Sequence, residues 1–255
     1  MMKKSFLKTG CVMAIALVLS SPVALAEDSP HEFSANVALS TDYRFRGISQ
    51  TSEDPALSGG FDYSYTPYGF YAGVWASNLD FNVPDPDPAD LEIDFYGGFS
   101  GEFTSGVPGL GWDIGGLYYY YPGSDTGPGV ADYDYFEAYG SLSYDFGSFD
   151  TTVGLAYSPD YFFESDEAFY VYGDVGVPLP VWDLSLAGHV GHQDIDDNAQ
   201  FGTPDYWDWS VGLSKDIGPF TFDITYIDTD LSDAECFGGT DFCDATAVFT
   251  ISSSF

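Results

Sequence analysis

The stretch Asp244-Ala-Thr-Ala-Val-Phe-Thr-Ile-Ser-Ser-Ser-Phe255 decides how the rest of the chain is read. In an extended strand, successive side chains point to opposite faces. Counting back from Phe255, one face carries Phe255, Ser253, Ile251, Phe249, Ala247 and Ala245, and the other carries Ser254, Ser252, Thr250, Val248 and Thr246. One face is thus dominated by large apolar groups and the other by small hydroxyls. Chain ends in water usually fray and are polar, whereas this stretch stops on an aromatic ring. A strand of this kind divides an apolar medium from a polar one.

The same two-residue period runs through the chain. It predicts a first strand over Phe33–Arg46, with Phe33, Ala35, Val37, Leu39, Thr41, Tyr43 and Phe45 on one side and Ser34, Asn36, Ala38, Ser40, Asp42, Arg44 and Arg46 on the other. Long polar connections are expected at Ser49–Ala56, Asp80–Asp90, Pro122–Asp132, Ser158–Glu167, Asp194–Asp205 and Asp228–Asp244. Short turns are expected at Thr66–Gly69, Thr104–Pro108, Phe146–Phe149, Pro178–Val181 and Asp216–Pro219. Six long and five short connections alternate, and eleven connections join twelve strands. Strands of about ten residues are long enough to cross a bilayer when tilted. Sorting of loops by length, with an even strand number, is the pattern of a transmembrane antiparallel β-barrel, which has short periplasmic turns and long extracellular loops. A closed barrel also pairs every backbone group, as hydrocarbon demands. The expected fold is therefore all-β, in one domain over residues 27–255, with Phe255 as the outer-membrane assembly signal.

Residues 1–26 read as a secretory signal: Lys3, Lys4 and Lys8, the apolar run Cys11–Leu19, then Ala24-Leu25-Ala26. Cleavage is expected before Glu27, which places the mature chain in the bacterial outer membrane. Without the signal, Arg44, Arg46 and Lys215 face all forty acids, a formal charge of 3 − 40 = −37. This excludes nucleic acid as a partner and makes cations the natural company. Disordered acidic chains are poor in aromatics, whereas this one has 22 Phe, 20 Tyr and 5 Trp. The mature cysteines, Cys236 and Cys243, fit a disulfide in an exported protein, since a metal site would want more thiols or nearby His.

If the apolar faces meet lipid, Leu91, Phe95, Ile114, Val171, Val211 and Ile224 lie outside, and Trp75, Trp182, Trp207, Tyr144 and Phe220 form interfacial girdles. The opposite faces then line a pore with Asp42, Arg44, Arg46, Asp62, Glu92, Asp94, Asp113, Glu137, Asp174 and Asp208. A lumen so rich in carboxylates favours cations. Hairpin pairing across the first loop would bring Arg44 opposite Asp62, as an internal ion pair or as a positive spot in an acidic constriction. Loop acids such as Asp85, Asp87, Asp194 and Asp196 lack the spacing and turn glycine of a calcium loop and read as a solvated rim. Catalysis would need a nucleophile beside a base. No Gly-x-Ser-x-Gly occurs, and His192, near acids at a strand's outer end, reads as a solvated side chain.

Three segments carry a family resemblance: Asp42-Tyr-Arg-Phe-Arg-Gly-Ile-Ser-Gln-Thr51, Asp54-Pro-Ala-Leu-Ser-Gly-Gly-Phe-Asp-Tyr63 and Gly69-Phe-Tyr-Ala-Gly-Val-Trp-Ala-Ser-Asn78. They resemble the TorF porin family, a conserved proteobacterial outer-membrane family of unknown function. The resemblance implies an outer-membrane channel and adds no substrate; from the residues themselves the expected function is passive diffusion of small hydrophilic solutes or cations, without cofactor, enzyme activity or resident metal. Its surroundings would be outer-membrane lipid and lipopolysaccharide, reached through the barrel assembly machinery. The alternatives are a closed structural or adhesive barrel and, further off, an outer-membrane hydrolase.

Overall fold

The computed structural model describes residues 29–81, 89–103, 106–124 and 131–255. The signal peptide, its cleavage point and the loop acids Asp85 and Asp87 lie outside the described residues.

Strands β1 (His31–Ser40), β4 (Ala56–Tyr65), β5 (Phe70–Asn78), β6 (Leu91–Glu102), β7 (Leu110–Tyr120), β8 (Tyr135–Asp145), β9 (Asp150–Ser158), β10 (Ala168–Pro178), β11 (Leu184–Ile195), β12 (Tyr206–Ile217), β13 (Phe220–Thr229) and β14 (Thr246–Ser254) form the barrel wall. Two further short strands, β2 (Arg44–Phe45) and β3 (Ile48–Ser49), lie within the first long connection. The twelve wall strands form one closed sheet in which each pairs antiparallel with its chain neighbours and β1 pairs with β14. Leu39 stands between Ile251 on β14 and Leu57 on β4. Phe255, just past β14, exchanges two backbone hydrogen bonds with Ala35, at 2.8 and 2.9 Å, so the terminal residue seals the seam. Closure leaves no unpaired edge.

The alternation sorts side chains as the sequence predicts. On the outside, Leu57, Val153, Val171 and Ile114 are 56–61 % exposed although apolar. Large exposed apolar patches are rare on soluble monomers, and here they belt the whole barrel. Inside, hydroxyls, carboxylates and glycines predominate. Inward tyrosines lie flat across glycines of the adjacent strand: Tyr96 over Gly73, Tyr71 over Gly98, Tyr139 over Gly115, Tyr172 over Gly154 and Tyr170 over Gly191. A Cβ at Gly191 would stand 2.0 Å from the Tyr170 hydroxyl. The missing side chains are what let these rings pack against the wall.

Three expectations need correction. First, β1 stops at Ser40, and residues 41–55 fold back into the barrel instead of extending the strand to Arg46. Both sides of the β2–β3 hairpin become buried, because its polar groups find partners inside the lumen that solvent would otherwise supply. Second, Arg44 does not face Asp62. Asp62 stands opposite Ser34 and accepts from the Tyr96 hydroxyl, while Arg44 pairs with Asp42 and Glu53. Third, Trp75 is not in an interfacial girdle. It points inward and is buried.

Candidate functional site: a constriction built by the first loop

The β2–β3 hairpin turns at Arg46 and Gly47, with φ of 46° and 84°. Gly47 fits for two reasons. Glycine adopts positive φ without strain, and a Cβ there would meet Thr229 Cγ2 at 2.4 Å. Asp42 organises the base of the hairpin, accepting from Arg44 Nε (2.5 Å), Ser49 Oγ (2.7 Å) and Thr51 Oγ1 (2.9 Å). Arg44 then reaches sideways. Its Nη1 donates to the carbonyls of Gly47 (3.1 Å), Phe242 (2.8 Å) and Asp244 (2.9 Å), and its Nη2 donates to Glu53 (2.9 Å). The Ser49 amide also donates to the Phe242 carbonyl, at 2.9 Å. The first loop is thereby fastened to the last one, which the Cys236–Cys243 disulfide closes as expected, with both cysteines buried.

At the tip, Arg46 spans the lumen. Nη1 donates to Gln193 Oε1 of β11 at 2.5 Å, and Nη2 forks onto the Glu137 carboxylate of β8 at 2.7 and 2.9 Å. The guanidinium also stacks on Tyr170 (4.2 Å) and Phe45 (4.8 Å), a favourable use of its planar cation. Burial pushes Arg46 towards losing its proton, but Glu137 overrides this and holds the guanidinium above its ordinary value. Tyr43 fills the remaining space against the β5–β6 wall, with its ring edge-on to Trp75 at 5.3 Å and its hydroxyl donating to Glu92 at 2.7 Å. Burial, reinforced by the nearby Glu92 and Asp94 charges, raises the Tyr43 hydroxyl well above its usual value, so it remains a donor. Arg44, Arg46 and Asp42 are only 4–6 % exposed. This layer lies across the lumen near the long-loop end.

Beyond it, towards the long loops, Phe45, Ile48, Tyr121, Tyr135, Tyr161 and Phe201 surround a cavity of about 60 Å³. The disulfide loop adds Phe237 and Phe242, and the single-turn α1 (Asn198–Phe201) adds Phe201. On the other side, towards the short turns, the interior is half-buried and acidic. Asp113 accepts from Tyr71 at 2.8 Å. His189 lies between Asp174 (2.6 Å) and Asp208 (3.1 Å), the latter buried beside the hairpin turn at Gly47, and Tyr170 is 2.8 Å from its Nε2.

Of the residues expected to line a pore, Asp62, Glu92, Asp94, Asp113, Glu137, Asp174 and Asp208 face the interior from the wall, while Asp42, Arg44 and Arg46 reach it through the inserted loop. The constriction brings together Glu92, Asp94, Glu137 and Arg46. Asp62 and Asp113 lie apart, towards the turns. Sequence reading missed Trp75, Gln193 and His189. His189 shares the inward face with Gln193, whereas His192 points outward and stacks on Trp207 at 4.6 Å. His31 opens β1.

A family model described as a bacterial protein of unknown function, Gcw_chp, matches residues 24–255, and the chain belongs to that family. The TorF name attached above to residues 42–78 is not the one this match carries. Among curated proteins none matches the chain in sequence. Among solved structures, the NanC porin is similar at 11 % identity and a TM-score of 0.54, over 88 % of this chain and 98 % of that one. The outer membrane protein opdK from Pseudomonas aeruginosa aligns at 13 % identity and a TM-score of 0.46, over 90 % and 68 %. LpxR from Salmonella typhimurium aligns at 9 % and 0.46, over 87 % and 99 %. The NanC likeness shows the fold: a porin-like, closed twelve-stranded barrel.

Proposed function

We propose that this member of the Gcw_chp family is an outer-membrane channel for small hydrophilic solutes, preferring cations, whose first loop forms a closed constriction at rest. The observation that carries this reading is the contrast between wall and plug. The wall is continuous and hydrogen-bonded, apolar outside and acidic inside. The plug is a fifteen-residue connection, 41–55, that is not paired into the wall sheet; buried side-chain ion pairs and a few backbone hydrogen bonds, such as Ser49 to Phe242, hold it. Such a loop can move without breaking the sheet. Carboxylates at Asp62, Asp113, Asp174 and Asp208 give the lumen the sign that favours cations. The short-turn end faces the periplasm and the long loops face outward.

A permanently closed structural barrel is the second reading, favoured by the burial of Arg44 and Arg46 at 4–5 % exposure. Single-channel recording of the refolded mature chain in a planar bilayer under a potassium chloride gradient separates the two. Discrete steps with a cation-directed reversal potential support the channel. A folded barrel that stays silent across voltage supports the structural reading.

A further inference from the structure

Asp94 stands outside the network that binds the first loop. It is 0 % exposed, and neither of its carboxylate oxygens has a hydrogen-bond partner in the protein. Its cross-strand neighbours are Trp75 on β5 and Tyr119 on β7, both inward and buried. The carboxylates of Glu92 and Glu137 act on it electrostatically. Glu92 shares its strand face two residues away and is engaged by Tyr43, while Glu137 is engaged by Arg46. Two further carboxylates therefore act on Asp94 through space, and the nearby guanidinium is already forked onto one of them.

An ionised carboxylate buried without donors is costly, so it is compensated by a cation or takes up a proton. The aromatic neighbours favour the cation: Trp75 and Tyr119 stand beside Asp94 on the adjoining strands, and aromatic rings supply the negative faces that attract cations. The charges of Glu92 and Glu137 draw a cation and a proton alike, so they do not decide between the two. The identity of the ion follows from the ligand set. Among the described residues no three His, Cys, Asp or Glu side chains converge as a metal centre requires. That argues against a resident divalent metal and leaves a monovalent ion held by one carboxylate and its own water.

We propose that Asp94, flanked by Trp75 and Tyr119, binds a monovalent alkali cation inside the constriction. The site deepens the channel reading and rests on it for a role in permeation; the binding itself is testable in a silent barrel. Tyr43, placed on Trp75 and Glu92, covers the site from the loop side, so exchange of the ion requires the first loop to shift.

The test uses crystals of the whole mature chain grown in rubidium chloride, with anomalous diffraction at the rubidium edge. A peak at the Asp94 carboxylate that is lost in Asp94→Asn is expected. Absence of that peak in the wild type, or its persistence in Asp94→Asn, overturns the proposal. A second measurement needs no variant. In wild type, replacing rubidium by N-methylglucamine, too large for the site, removes the peak, and a peak unchanged by the exchange overturns the assignment. Infrared spectroscopy covers the rival chemistry: a protonated-carboxyl band in wild type that disappears in Asp94→Asn shows a proton instead of a cation and overturns it. A silent bilayer with the rubidium peak present would remove only the channel reading.

Discussion

Arg46 Nη2 forks onto both carboxylate oxygens of Glu137, at 2.7 and 2.9 Å, joining residues 91 positions apart in the chain. Both partners are buried, with side chains 2 % exposed. Breaking a buried pair from one side leaves an uncompensated charge, at a cost of about 3–5 kcal/mol. Arg46→Ala and Glu137→Ala are each expected to lower stability on that scale, read from urea unfolding in detergent micelles. The double substitution should cost clearly less than the sum of the two. Additive losses would show that the pair does not couple loop and wall.

Arg44 makes a second, separate prediction, because it ties the first loop to the backbone beside Cys243. Its Nη1 serves three carbonyls and its Nε and Nη2 serve two carboxylates, a pattern that only a guanidinium fork supplies. Arg44→Lys keeps the charge and is still expected to free the loop. The measurement is limited proteolysis within 41–55, with cleavage faster by about tenfold or more, as loss of one to two charged hydrogen bonds at about 1.5–3 kcal/mol each implies. Protection equal to wild type would contradict the tether.

The tyrosine-on-glycine packing gives a third. Gly191→Val would drive a side chain into Tyr170, whose ring supports Arg46 and whose hydroxyl contacts Asp208 at 2.9 Å. Overpacking of this kind costs about 1–3 kcal/mol. Gly140→Ala is the matched control, since its added Cβ meets its nearest neighbours at 3.5–3.6 Å, an ordinary contact. Equal effects from the two, measured as the temperature of the folded-to-unfolded shift on gels, would argue against the cradle.

The sequence carries the wall almost completely. Period-two alternation is written directly into residues such as Phe249, Ile251 and Ser252, and loop lengths sort the two ends. The fold of the first loop is not written this way. Tyr43, Arg44, Phe45 and Arg46 alternate whether they continue a strand or enter the lumen as a hairpin, and the two readings part only at Gly47. Partners of Arg44 and Arg46 lie up to 200 residues away, beyond the reach of local pattern. Trp75 and His189 are different, because counting faces from Tyr71 and from Gln193 would have placed both inside. The girdle habit of tryptophan and the acids beyond His192 outweighed that parity.

A pH effect belongs to the last loop. Hydrogen bonds from the Ser232 hydroxyl and amide hold the Glu235 carboxyl below its ordinary value. A carboxyl whose folded value is lowered stabilises above the unfolded range and loses that contribution as pH falls through the folded value. The turn Asp233–Glu235 is therefore expected to loosen only at acid pH. NMR titration of Glu235 should show a midpoint below that of a free glutamate, and Ser232→Ala should move it up. A midpoint already at the free value would contradict the capping arrangement.

The account's central claim is that the acidic lumen conducts once the first loop leaves it. The most direct measurement is single-channel recording of a variant in which residues 43–50 are replaced by a short Gly-Ser segment, beside the wild type, after gel mobility has shown both to be folded. Larger, longer-lived steps than wild type with a cation-directed reversal potential are predicted, and neutralising Asp62, Asp113 and Asp174 to asparagine in that background should reduce the selectivity. A folded variant that stays silent, or that passes anions preferentially, would contradict the account.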